Sequence, residues 1–494
     1  MSKGQQPFEI PRETPRPAGE SADYAHRDFY QLYGTSTEGR CCAGLACFAA
    51  RKDEPERWRQ AMTEPKVHCL GNCYQAPAQQ GRMGSPPIGV RSRECVLLNN
   101  VRIGGVIRLK PYEQGGGLSA LKRARSMPRE MVLKELRDSQ LRGRGGAGFP
   151  TWRKWKAVAN ETATVKYVIA NADEGDAGAF GDRLLLEEDP FLLIEGLAIA
   201  AHAVGATRGL IYVRREYPAA AIALRSALVE ARSAGWLGAD FDIELVVGHG
   251  SYICGEETAM LNALEHRRPE VRLRPPQITQ QGLHGRPTLV QNVETLCAVP
   301  WILRQGGAAY AQLGFSNSRG SKLLSLNSLF RRPGLYEVEF GITLREIVDD
   351  LGGGLRRGDL LGLMVGGPLA GLIPPRLLDT PLGYEEMQRI GGAVGHGGVI
   401  AFSDDTRIAE VIEQVFRFGA DESCGKCTPC SLGTPRIARM FSDVLAGKVV
   451  DGVRYRQLIE ALAQSSLCGH GRGLAEFAHS IERHYPQELA ACLA

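Results

Sequence analysis

Cys424-Gly425-Lys426-Cys427-Thr428-Pro429-Cys430, with Cys468 far downstream in Ser466-Leu467-Cys468-Gly469, constrains this chain more than any other feature. Thiolates that share one inorganic centre must be brought together by the fold. A C-x₂-C-x₂-C run plus one distant cysteine suits a cubane [4Fe–4S] cluster. Zinc more often takes two separated C-x₂-C pairs and is disfavoured. A disulfide framework is disfavoured as well, because the chain is long and carries no secretory segment.

A second set lies upstream, Cys42-x₄-Cys47 and Cys69-x₃-Cys73. Two thiolate pairs on adjacent loops can hold a [2Fe–2S] rhombus, two per iron. Zinc and a cluster-free remnant stay open as alternatives. Cys41 and Cys95 fall outside the pattern and read as ordinary thiols.

Between the two sets stands Arg142-Gly143-Arg144-Gly145-Gly146-Ala147-Gly148-Phe149, then Pro150 and a helix-like stretch from Thr151 to Ala159. Glycines let a backbone turn tightly and approach a ligand closely. A helix starting here would aim its free N–H groups at the loop, which suits a phosphate. The stretch matches neither a dinucleotide G-x-G-x-x-G nor a Walker loop, so alone it reads equally as a structural turn. Lys154, one turn into the helix, could offset phosphate charge, or could be a solvated lysine like its neighbours Arg153 and Lys156.

The 494 residues suggest two to four domains. A net charge of +4 gives no case for nucleic acid. No apolar run of membrane-spanning length or signal-peptide core occurs, so a cytoplasmic protein without membrane insertion is expected. Thirteen cysteines in short-spaced clusters fit a reducing compartment and metal ligation.

In chain order, residues 1–30 are polar and proline-rich and read as a flexible arm. Ile88–Val90, Val96–Leu98 and Val101–Ile103 look strand-like and should complete a small N-terminal domain, with Pro111–Gly117 as linker. Apolar runs at Val165–Ala170, Leu210–Val213 and Ile243–Val247 alternate with alanine-rich helical stretches such as Glu195–Val204, predicting a parallel sheet covered by helices. Ligands bind such sheets beyond the strand C-termini, where Asn171, Asp173 and Glu174 stand; a capped helix start is the plainer reading. Lys322–Leu326 and Gly334–Val338 suggest two strands, and Leu344–Val348 an amphipathic helix. From Ile408 onward helical periodicity dominates, with the cysteine run capping one helix and Cys468 the next.

The glycine loop, Asn171-Ala172-Asp173-Glu174, Tyr252-Ile253-Cys254-Gly255-Glu256-Glu257-Thr258, Gly285-Arg286-Pro287-Thr288 with Asn292-Val293-Glu294-Thr295, and Glu422-Ser423-Cys424-Gly425-Lys426-Cys427 follow in one order. From about Pro128 to Glu482 the chain resembles the FMN- and NADH-binding flavoprotein subunit of respiratory complex I, and the diaphorase subunits of soluble NAD-linked formate dehydrogenases and hydrogenases. The four upstream cysteines resemble those of the family's thioredoxin-like [2Fe–2S] partner, shortened: twenty-one residues separate the pairs.

The resemblance implies a multidomain α/β fold. Its parts would be an arm (1–30), a shortened thioredoxin-like domain with linker (31–117), an FMN- and NADH-binding parallel-sheet domain (118–317), a β-grasp insert with its connection (318–394) and a helical [4Fe–4S] bundle (395–494). FMN would be held by Gly143, Gly145, Lys154, Asn171, Asp173, Glu174, Tyr252, Glu256, Asn292 and Thr295, and the nicotinamide side by Gly146, Phe149, Asp176, Glu257 and Arg274. Glu174 and Glu257 would shape the charge around flavin and nicotinamide, with no proton-transfer role. Cys424, Cys427, Cys430 and Cys468 would ligate the cubane and Cys42, Cys47, Cys69 and Cys73 the [2Fe–2S] cluster.

Where the family often has aromatic platforms this chain has Ala157 and Gln277; Gln291, Trp152 and Asp176 are further departures, implying an altered dinucleotide site. The expected partner is a molybdenum or tungsten formate dehydrogenase catalytic subunit or another iron–sulfur dehydrogenase subunit. A hydrogenase or complex I diaphorase, or an electron relay with a decayed nucleotide site, is the alternative. Acidic Asp176 favours NADH, since it would repel a 2′-phosphate.

Overall fold

The computed structural model describes residues 29–30, 32, 36–63, 65–81 and 84–494. The arm expected over 1–30 lies outside these except for Phe29 and Tyr30, and Tyr30 is buried against Tyr212 and Cys254. A short strand β1 (Ile88–Val90) precedes β2 (Tyr167–Ala172), β3 (Arg208–Val213), β4 (Asp242–Val247) and β5 (Thr288–Asn292). There follow β6 (Ser321–Leu326), β7 (Gly334–Glu339), β8 (Leu360–Val365), β9 (Leu372–Ile373) and β10 (Gly398–Ser403).

Strands β2 to β5 form the parallel sheet, in the order β4-β3-β2-β5. The central strand β2 is buried along nearly its whole length, which is why its sequence is apolar without alternation. The helices that matter for the site are α1 (Thr151–Asn160), α2 (Gly181–Glu188), α3 (Pro190–Val204), α4 (Glu257–Leu264) and α5 (Val293–Gln305). Helix α3 is buried on almost every face, and Gly196 lets α5 come so close that an added Cβ would stand 2.2 Å from the Leu296 carbonyl oxygen.

The expected strands over 322–326 and 334–338 and the helix near 344 are present. They belong to a mixed sheet in the order β1-β7-β6-β10-β8-β9. Its strand β10 lies beyond the expected insert boundary at 394, so the helical part begins at Ile408. That part consists of α6 (Ile408–Asp421), α7 (Thr428–Leu445), α8 (Gly452–Ser465) and α9 (Gly469–His484), closed by Pro486–Ala490.

The N-terminal segment departs from expectation. Among its described residues up to 87 there are two short helices, a 3₁₀ turn and isolated bridges, and no sheet of its own. Strand β1 instead pairs in parallel with β7. Val96, Leu97 and Leu98 form no strand; their N–H groups donate to the buried Glu337 carboxylate at 2.9–3.2 Å. Val101–Ile103 is a 3₁₀ turn. The expected linker over 111–117 overlaps a helix, Leu109–Gln114, whose buried Tyr112 donates its hydroxyl to Glu195 at 2.6 Å. One hydrophobic core runs from Leu32 to Cys492.

Candidate functional site

The glycine loop turns where Gly146 (φ 119°) and Gly148 (φ 59°) take left-handed conformations, and Gly145 passes so near Asn292 that a Cβ would sit 3.1 Å from that residue's Cβ. Two arginines, Arg142 before the first glycine and Arg144 between the first two, whose role the sequence does not reveal by itself, pin the loop from behind. Arg142 donates to the Gly148 carbonyl at 2.6 Å and pairs with Glu385 at 2.6 Å. The buried Arg144 reaches Tyr310 at 2.9 Å and the Arg319 carbonyl at 2.6 Å, and its N–H donates to Thr295 at 2.8 Å. Alternation of arginine with glycine was the available signal: a loop of glycines alone would have nothing to fix it.

A cleft opens at the C-terminal ends of β2 and β5. Its smaller lobe, about 170 Å³, is lined by the loop, Thr151 at the start of α1, Lys154, Glu257 and Gln291. Lys154 is placed by an ion pair to Glu257 at 2.9 Å. Burial pushes the Glu257 carboxyl up, but Lys154 and Arg274 together hold it below its ordinary range. The larger lobe, about 420 Å³, shares Gly145, Ala147, Asn171, Gly255 and Asn292 with the first and adds Asp173, Asp176, Tyr252, Glu256 and His396.

Asn171 is fixed by donating to the Gly255 carbonyl at 2.8 Å, and Glu256 caps α4 by accepting from the N–H groups of Thr258 and Ala259. Arg274 bridges Glu256 and Glu257 at the cleft mouth, at 3.0 and 2.9 Å. Phe149 is half exposed beside the loop.

Two expected contact residues stand behind the wall. Glu174 is fully buried and accepts the N–H groups of Asp182 and Arg183, at 3.0 and 2.9 Å, fixing the start of α2. Burial and the neighbouring Asp182 raise its carboxyl to about 7. Thr295 is fully buried and supports Arg144 and Asn292. The structure also adds residues that no sequence motif singles out. His396 lies 2.7 Å from Asp182 and 3.3 Å from Asp176, and Asn292 donates to Asp182 at 2.7 Å.

Both cysteine sets converge. Cys42, Cys47, Cys69 and Cys73 are buried together as free thiols, Cys47 hydrogen-bonded to Cys42 and Cys69 to Cys73. Gly44, Gly71 and Ala78 donate N–H groups to Cys42, Cys69 and Cys47 at 3.3–3.4 Å. Hydrogen bonding from Cys73 lowers the Cys69 thiol to about 6 against the effect of burial, aided by Arg214. Cys427 is the N-cap of α7 and Cys468 that of α9, so two positive helix ends face the second set. Gly425 takes a left-handed turn there (φ 83°), whereas Gly433 sits inside α7 with open space around it.

Among the described residues no three cysteine sulfurs lie within 4.8 Å of one another. A single tetrahedral zinc would hold its sulfurs about 3.8 Å apart, given Zn–S bonds near 2.3 Å. The wider spacing and the N–H donors suit sulfur-bridged iron.

The cleft borders both sets. Gly469 and His470, next to Cys468, line its larger lobe, as does Asp176, whose carbonyl lies 4.0 Å from Cys69 Sγ.

The residues fit a flavin nucleotide. Thr151 Oγ1 and Gln291 Oε1 in the small lobe and Asp173 Oδ2 in the large one are buried without a hydrogen-bond partner. Buried polar atoms left unpaired in this way point to a polar ligand.

Comparison with known proteins bears on the same residues. Residues 136–301 match the Nuo51 FMN-binding domain, and residues 410–492 match the NADH-ubiquinone oxidoreductase-F iron-sulfur binding region. The second F-type subunit of the NADH-quinone oxidoreductase of Rhizobium meliloti (strain 1021) is 38% identical over 410 residues, 81% of this chain and 97% of the relative. The HndC subunit of the NADP-reducing hydrogenase of Solidesulfovibrio fructosivorans is 37% identical over 413 residues, 80% of this chain and 83% of that one. A solved NAD⁺-reducing [NiFe]-hydrogenase in its H₂-reduced state superposes with a TM-score of 0.83 at 28% identity, covering 96% of this chain and 87% of that one. No helix among the described residues is long and apolar enough to cross a membrane.

Proposed function

We propose that this chain, which belongs to the family of F-type subunits of NADH-quinone oxidoreductase, is the diaphorase subunit of a soluble NAD-dependent formate dehydrogenase. As a member of that family it is an NADH dehydrogenase-type oxidoreductase subunit that uses FMN and a [4Fe–4S] cluster for electron transfer. FMN, when bound, exchanges hydride with NADH and single electrons with the clusters. The chain's own residues bind, orient and set charge. The observation that carries the reading is the cleft whose larger lobe is lined by neighbours of both cysteine sets.

In this reading Lys154, Thr151 and the α1 N-terminus hold the phosphate, while Asn171 and Asp173 hold the sugar-alcohol hydroxyls. Tyr252 would contact the flavin, and Asp176, Glu257 and Arg274 would stand on the nicotinamide side. Gly143, Gly145, Gly146, Phe149, Glu256 and Asn292 shape the remaining wall. Glu174 and Thr295 act through the residues they hold. Cys424, Cys427, Cys430 and Cys468 bind the cubane, and Cys42, Cys47, Cys69 and Cys73 a [2Fe–2S] cluster. The fused upstream cysteine set supports a soluble complex with a molybdenum or tungsten formate dehydrogenase catalytic subunit. A hydrogenase partner is supported equally, by the superposition over 96% of the chain with a hydrogenase subunit.

The test is anaerobic addition of NADH to the FMN-loaded protein. Rapid bleaching of the flavin followed by slower loss of iron–sulfur absorbance is expected. Bleaching by dithionite but not by NADH would instead make the chain a relay with a decayed nucleotide site. Formate and hydrogen, offered in turn to the complex isolated with its partners, separate the two partner assignments. Cys69→Ser should remove about a third of the bound iron, a loss of two irons from a [2Fe–2S] plus [4Fe–4S] complement.

A further inference from the structure

The wall of the larger lobe carries three carboxylates, Asp173, Asp176 and Glu256. Hydride transfer breaks a C–H bond of NADH, forms an N–H bond on the flavin and releases NAD⁺, so the acceptor gains one negative charge. Arg274 offsets Glu256 at 3.0 Å and burial pushes the Asp173 carboxyl up, so Asp176 is the carboxylate that, unopposed, would most disfavour that gain. Two lining side chains could be cationic, His396 and His470. His470 bonds to the Gly419 carbonyl at 2.9 Å through Nε2, its Nδ1 has no hydrogen-bond partner, and no ion pair with a carboxylate fixes it.

His396 is built for charge. Its Nε2 lies 2.7 Å from Asp182 Oδ2 on α2 and 3.7 Å from Glu174, and its Nδ1 lies 3.3 Å from Asp176. Asp182 is itself held by Asn292 at the end of β5 and by the N–H of Glu294. On the remaining side Lys322 of β6 donates to the His396 carbonyl at 3.2 Å, its charge offset by the buried Glu294. The Nδ1 and Nε2 atoms both face carboxylates, with the Asn292 amide nitrogen also 3.3 Å from Nε2, an arrangement that an imidazolium, with two N–H donors, satisfies.

We propose that His396 is a positioning residue for flavin electrochemistry, a fixed positive charge at the cleft wall that favours the reduced over the oxidised cofactor. This rests on the FMN reading above. Burial opposes the charge, yet Asp182 and Asp176 hold the imidazole protonated well above the ordinary histidine range.

The test is the midpoint potential of bound FMN in wild type and His396→Gln, by spectroelectrochemistry from pH 6 to 9. The variant should show at least a tenfold smaller equilibrium constant for two-electron reduction, a fall of about 30 mV. Asp182→Asn, which loosens the proton, should add pH dependence to the potential within that range. Wild-type protein that binds FMN with a potential unchanged in His396→Gln overturns the inference and leaves the FMN reading intact; wild-type protein that binds no FMN overturns that reading. Should His396→Gln bind no flavin, ¹⁵N-histidine NMR of the FMN-free protein decides. The resonance missing from the variant should keep imidazolium shifts to pH 8.5, and one that titrates near the ordinary histidine value overturns the proposal.

Discussion

Lys154 illustrates how much of a residue's meaning comes from its partner. On an exposed helix it would be a solvated cation, but here Glu257 and the Val290 carbonyl hold its ammonium at 2.9 and 3.3 Å against the small lobe. Lys154→Met should raise the dissociation constant for FMN at least tenfold, about 1.4 kcal/mol, read by flavin fluorescence quenching. Glu257→Gln should leave FMN affinity within a few-fold while weakening the response to NADH; equal losses in both variants would mean that the ion pair, not the cation, matters.

Asp189 gives a stability test at the same scale. Burial raises its carboxyl to about 7, despite a bond from Asn100 at 2.9 Å. The folded state therefore holds this proton above the unfolded value near 3.9, so its contribution is most favourable at low pH and is lost as pH rises towards 7. The stability of Asp189→Asn, read from thermal melts, should gain on that of wild type between pH 5 and 8 by an amount on the order of 2 kcal/mol.

At the scale of elements, the close crossing of α3 and α5 is set by Gly196. The obstacle to a Cβ is a backbone carbonyl, which no rotamer change can move. Gly196→Ala should cost roughly 1–3 kcal/mol, seen as a lower thermal midpoint with FMN affinity nearly unchanged.

Much at this scale was legible. Three of the four parallel strands announced themselves as apolar runs, and both cysteine caps fell at helix starts as the spacing implied. Strand β5 was not legible as a strand, because Thr288–Asn292 has a short apolar centre inside a motif of polar residues. Val96–Leu98 misleads because an apolar triplet looks like a strand whether its N–H groups meet another strand or the Glu337 carboxylate. Pro111–Gly117 looks like a linker from its glycines, yet Tyr112 finds Glu195 through a contact no local pattern encodes. The site divides the same way: loop, Lys154 and Asn171 were readable, whereas Asp182, His396 and Arg144 gain their roles from segments far apart in the chain.

For the whole molecule, the N-terminal cysteine segment is stitched to every other part rather than tethered to it. Arg51 pairs with Glu410 and Lys66 with Asp421 on α6, Gln414 donates to the Ala43 carbonyl, and Ser328 binds the carbonyls of Cys73 and Ala76. Glu337 collects the N–H groups of Val96, Leu97 and Leu98 together with the Ser321 hydroxyl. A separable domain on a linker would lack this density of buried polar contacts, and cutting any of them leaves a desolvated group unpaired at about 1–3 kcal/mol each. The segment and the flavin-binding sheet should therefore unfold together. Trp58, packed on Phe48, reports the segment, and the fully buried Trp155 reports the sheet domain. In urea, the fluorescence difference between wild type and Trp58→Phe should share its midpoint with the remaining tryptophan signal, and Glu337→Ala should lower both together. If the Trp58 signal melted first, with the second transition unmoved by Glu337→Ala, the segment would be a module added to the fold. Coincident transitions would mean that the upstream cysteines are held in place by the same core that forms the cleft.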